Sequence, residues 1–105
     1  MFIKGGKMEV KSSNNNILIT GNIKSTTHYH NISAEIESLK DSTKNIKIYI
    51  YDSISITSSV IGYLCKLVTT SDIALSLYVE DDSLHSLLND LNLIDTLNVQ
   101  KITNR

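Results

Sequence analysis

Asn45–Tyr51 alternates with a period of two: Ile46, Ile48 and Ile50 point one way, Lys47, Tyr49 and Tyr51 the other. Ile73, Leu75, Leu77 and Val79 alternate in the same manner with Ala74, Ser76 and Tyr78, so both stretches are expected to be strands. Met8-Glu9-Val10-Lys11 alternates more weakly and suits an edge strand. Ile17-Leu18-Ile19-Thr20 is a short β-branched run stopped by Gly21-Asn22. The polar patch Ser12–Asn16 between these two runs reads as a turn, which predicts a hairpin. A last short strand is expected around Leu97 and Val99.

Between the strands the period changes to that of a helix. Ile32, Ile36 and Leu39 fall on one helical face, with Asn31 or Thr27 as the expected cap. Val60, Ile61, Leu64, Cys65 and Val68 form a second stripe, preceded by Thr57-Ser58-Ser59 as candidate caps. Leu84, Leu87, Leu88 and Leu91 form a third, after an acidic start at Glu80-Asp81-Asp82 that suits a helix N-terminus.

Strands alternating with helices predict an α/β fold whose sheet is mostly parallel, with right-handed crossovers. A doubly wound sheet would bury both faces and make its central strands continuously apolar. Here they alternate. The prediction is therefore a mixed sheet of four or five strands with about three helices mainly on one face. Lys47, Tyr49, Tyr51 and Tyr78 are left on the other, a surface on which a partner could dock. Ile48, Ile50, Ile61, Leu64, Leu75, Leu77, Leu87 and Leu88 are the expected core.

Composition narrows the function classes. The 105 residues suit one domain spanning 1–105, with 1–7 expected as a flexible N-terminus. A hydrophobic fraction of 41% is too high for disorder. Ten basic against eleven acidic residues argue against nucleic-acid binding as the main activity. No apolar run is long enough to span a bilayer or to act as a signal peptide, so no membrane insertion is expected. Cys65 has no intrachain partner, and a lone thiol suits the cytoplasm.

Candidate residues for chemistry are few. His28-Tyr29-His30 offers two imidazoles but no further ligands at a recognisable spacing, and reads as a solvated loop. Cys65 sits on an apolar stripe, where a thiol behaves as a small hydrophobe. Asp52, Asp81 and Asp82 fall at strand ends, where solvated carboxylates are common. No nucleophile–base order, zinc motif or phosphate-binding glycine loop is present, so the expectation is a protein that is not an enzyme and uses no cofactor or metal.

The segment Ile48–Leu64 runs from a strand through a loop into a helix and carries Asp52, Ser53, Thr57, Ser58, Ser59 and Gly62. It resembles the STAS domain of bacterial anti-sigma-factor antagonists, which typically has Asp-Ser-Ser/Thr-Gly-Leu-Gly leading into a helix. Thr57-Ser58-Ser59-Val60-Ile61-Gly62 matches in two serines and the last glycine, and Asp52 corresponds to the acidic residue that often ends the preceding strand. Ile17–Ile23 is similar to the family's early strand and turn, and Leu84–Leu93 to its third helix, so the likeness spans residues 8 to 102. Thr57 stands where the family has an acidic residue and Val60 where it has a glycine. With Arg105 as the last residue there is no room for the family's closing C-terminal helix, so that surface is expected to be exposed or covered by another subunit, as in a homo-oligomer.

The resemblance implies a non-enzymatic partner switch. Such a protein binds a Ser/Thr kinase-type anti-sigma factor, is phosphorylated on the first serine of the motif, here Ser58, and is restored by a PP2C-like phosphatase. Ser59 is the rival acceptor, and Asp52, Ser53, Thr57 and Gly62 complete the implied docking surface. The alternative is a constitutive scaffold or transporter-associated STAS subunit in which Ser58 merely caps the helix.

Overall fold

A computed structural model describes residues 8–102. It starts with a hairpin, β1 (Glu9–Ser13) and β2 (Asn16–Thr20), antiparallel and closed by a turn in which Asn14 adopts a left-handed φ of 56°. Three strand–helix units follow: α1 (Thr26–Lys40) leads to β3 (Asn45–Tyr51), α2 (Ser58–Thr69) to β4 (Ala74–Val79), and α3 (Asp82–Asp90) to β5 (Val99–Lys101). The sheet has the order β1-β2-β3-β4-β5, with every pair after the hairpin parallel. The expected segment 1–7 lies outside the described residues.

Three crossovers of one hand, each stepping to the next strand in the same direction, put all three helices on the same face. The burial pattern agrees. Ile17, Ile19, Ile46, Ile48, Ile50, Leu75, Leu77, Val79 and Val99 are buried beneath the helices, and their neighbours along each strand are not. The uncovered face carries a row that crosses the sheet: Lys11, Leu18, Tyr49, Tyr78 and Gln100 are register partners from β1 to β5. Tyr49 and Tyr78 stack there with centroids 4.6 Å apart and planes 9° from parallel. Both are half-buried, as is Tyr51, whereas Lys47 is exposed.

Five expectations need correction. Ile61 is only half-buried: Val60, Leu64 and Leu67 make the line that faces the sheet, and Ile61 lies one step round from it. Leu87 is exposed, with Leu91, because Leu84 and Leu88 alone bring α3 onto the sheet. Helix α1 begins before Thr27 and Asn31, capped by Ser25, whose hydroxyl accepts the His28 N–H. His28-Tyr29-His30 therefore lies within the first two turns of a helix, not in a loop. Ile73 and Leu97 are buried as core residues but lie just outside the hydrogen-bonded strands.

Candidate functional site

Parallel strands with helices on one face deliver their outgoing loops to one edge, at the strands' C-terminal ends. Three loops meet there: Gly21–Ser25 after β2, Asp52–Thr57 after β3, and Glu80-Asp81 after β4. The middle one is the segment singled out by the sequence. It turns sharply at Asp52, where φ is 56°, a left-handed conformation that short polar Asn and Asp tolerate best among L-residues. Asp52 thus contributes its backbone first. Its N–H donates to Glu80 Oε1 at 2.9 Å, which ties this loop to the next one.

The loop is held at several further points. Gly21 N–H donates to the Tyr51 carbonyl at 3.0 Å. Ile54 N–H donates to Asn22 Oδ1 at 2.8 Å, and the Ser55 hydroxyl donates to the Ile23 carbonyl at 3.2 Å. Ser53 points inward: it is 1% exposed and its hydroxyl donates to the Ser55 carbonyl at 2.9 Å. Its side chain secures the loop from inside and does not face outward with the other implied docking residues.

At the end of the loop Thr57 is the cap of α2. Its backbone is extended, and its hydroxyl accepts the Val60 N–H at 3.3 Å while its carbonyl accepts the Ile61 N–H. Ser58 and Ser59 are therefore the first two helical residues, both exposed, and their N–H groups lie in the first turn without an intrahelical acceptor. We expect Thr57→Ala to cost about 0.5–2 kcal/mol in chemical denaturation. Ser58→Ala, which removes no cap, should stay within about 0.5 kcal/mol of the parent. Equal losses would show that the cap is shared.

Ser59 and Thr57 also line a shallow depression of about 190 Å³ with Lys24, Ser25, Thr26 and Tyr29, between the N-termini of α1 and α2. Tyr29 meets Tyr63 of α2 edge-on at 6.0 Å, and the Tyr63 hydroxyl donates to Glu37 Oε2 at 2.6 Å, locking the two helices together. That bond holds the Glu37 carboxyl below its ordinary value, while burial first and the Glu37 bond second push the Tyr63 phenol up. On the far side of the edge, Lys101 Nζ lies 2.9 Å from Asp82 and donates to the Glu80 carbonyl, and its hydrogen bond keeps Asp82 more acidic than usual. Asp81 caps α3 by accepting the N–H groups of Ser83 and Leu84.

Two residues gain importance from their surroundings. Ile54 is 62% exposed, an apolar side chain at the tip of a loop whose backbone is tied on both sides. Its backbone N–H is held by Asn22 Oδ1 while its side chain stands in solvent. Gly62 lies inside α2, exposed, with nothing within 4 Å of where a Cβ would stand. The fold gives no reason for a glycine there. Cys65 is half-buried against the core. Among the described residues, no three His, Cys, Asp or Glu side chains gather as they would around a metal, and no helix is long and apolar enough to cross a membrane.

No protein-family model matches the chain, and a search of curated proteins finds no match either.

Proposed function

We propose that this protein is a partner-binding module, without catalytic activity of its own, whose docking surface at the start of α2 is switched by phosphorylation of Ser58. The observation that carries this reading is the division of labour at the helix start: Thr57 does the capping, which leaves the exposed Ser58 hydroxyl without that structural task. A phosphate there would sit among free N–H groups at the positive end of a helix, so the modified state is stabilised locally. The same phosphate adds about two negative charges to the loop that presents Ile54, and so opposes an apolar partner contact. The switch calls for no refolding of the loop, because the bonds that Asn22, Ser53, Ser55 and Glu80 make to hold it do not involve Ser58. The resemblance to anti-sigma-factor antagonists supplies the class of partner: a cytoplasmic Ser/Thr kinase-type anti-sigma factor, with a PP2C-like phosphatase reversing the mark. Ser59, one residue on, is the rival acceptor.

The test is phosphosite mapping on the protein recovered from its native cells, together with recovery of its bound partner by wild type, Ser58→Ala and Ser58→Asp. Phosphate on Ser58, with the partner kept by the Ala variant and weakened by Asp, is the expected result. Gly62→Ala adds a second readout. It should stabilise the helix by about 1 kcal/mol, since the added methyl meets nothing, and yet weaken partner binding if the bare helix surface is used for close approach. If neither serine is ever phosphorylated and the Ala and Asp variants bind equally, the switch is excluded. The exposure of Ile54 favours a second reading for that outcome, a constitutive scaffold whose binding is lost in Ile54→Asp and indifferent to position 58.

A further inference from the structure

Strand β1 forms one edge of the sheet. Its hairpin closes through two turn residues, with Ser13 opposite Asn16. A pair that close to a two-residue turn can be joined only by its own two backbone hydrogen bonds. Counting back in steps of two, Ser13, Lys11 and Glu9 direct their N–H and C=O groups inward to β2, while Ser12 and Val10 direct theirs outward. Among the described residues no strand takes up that outward row. An open groove of about 580 Å³ runs along it, between β1 and the Asn31, Ala34 and Glu35 side of α1.

We propose that this edge pairs with the same edge of a second copy of the chain. The two β1 strands run antiparallel about a two-fold axis at Val10, so that two five-stranded sheets become one. The charges select this register. With Val10 opposite Val10 of the second copy, the outward N–H and C=O groups of both valines bond reciprocally. Lys11 then falls directly opposite Glu9 of the second copy, and Glu9 opposite its Lys11. Both pairs are of the non-hydrogen-bonded type, in which opposed side chains approach most closely. Sliding by two residues would set Lys11 against Lys11, a like-charge pair at the centre of the contact. A lone Lys on an edge strand ordinarily prevents pairing. Here Glu9, two residues away on the same face, supplies its complement in one register only. The helix layers of the two copies lie on the same side of the joined sheet, and the short Ala34 side chain faces the junction.

Sedimentation velocity over a concentration series tests the proposal on the full chain and three variants. Wild type should approach twice its 11.7 kDa mass as concentration rises. Either Lys11→Glu or Glu9→Lys places like charges at both junction pairs and should lower the association constant about tenfold or more. The exchange variant E9K/K11E restores opposite charges and should recover the dimer. Both positions are exposed, and circular dichroism of each variant verifies that it is folded. A wild type that stays monomeric throughout, single variants that dimerise as well as wild type, or an exchange variant that does not recover would each overturn it. Ser58 plays no part in this contact, so failure here leaves the phosphorylation reading intact.

Discussion

Leu77→Ala should destabilise the protein by about 2–5 kcal/mol, measured by urea unfolding. Leu77 is fully buried at the centre of β4, opposite Ile48 on one side and Val99 on the other. Truncation removes three methyl-sized carbons from a place where strands are hydrogen-bonded on both sides and cannot close over the gap. A domain of this size has a total stability of roughly 5–15 kcal/mol, so one residue accounts for a large share. Leu87→Ala is the control. Leu87 is 37% exposed on α3, and its loss should change stability by no more than about 0.5 kcal/mol. A large effect at Leu87, or a small one at Leu77, would contradict the assignment of faces.

Ser53→Asp should be comparably severe, on the order of 3–5 kcal/mol near neutral pH, because it puts an unpaired carboxylate where the native hydroxyl is 1% exposed. The pH dependence separates this cause from simple crowding. Burial raises the introduced carboxyl's folded-state pKa above its unfolded value of about 3.9. Below that value both states are protonated and the charge penalty vanishes; it grows as pH rises from there toward the folded-state pKa. Unfolding curves on either side of that window should show the variant recovering in acid relative to wild type. A deficit independent of pH would mean that volume, not charge, is responsible. Ser58→Asp, five residues along the same segment, should show no such deficit, since Ser58 is exposed.

The contrast between these two serines marks how far the sequence could be read. The strict alternation of Ile46, Ile48 and Ile50 with Lys47, Tyr49 and Tyr51 disclosed both the strand and its uncovered face, because a sheet covered on one side has no other way to distribute its residues. The start of α1 was hidden, since Ser25-Thr26-Thr27-His28 carries no apolar stripe and the first buried residue comes only at Ile32. Leu87 was misplaced because periodicity identifies a face about three residues wide, while a helix of nine residues lying at one side of a sheet presses only the Leu84–Leu88 line against it. The loop after β3 was found by its motif, but the motif could not say that Ser53 turns in and Ile54 out. The backbone around them is held by Asn22 and Glu80, which approach from loops some thirty residues away along the chain.

The agreement between strand order and chain order has a consequence for how the protein is made. Each strand pairs with the strand immediately before it, and none has to be threaded between two that are already bonded. As the chain leaves the ribosome, the hairpin offers an edge, β3 adds to it after one helix, and β4 and β5 follow in turn. Every ring closed in this sequence is about one strand–helix unit long, so the loss of chain entropy is spread over small steps. The sheet can therefore grow vectorially, at the pace of synthesis, with the latest strand always the only new edge exposed.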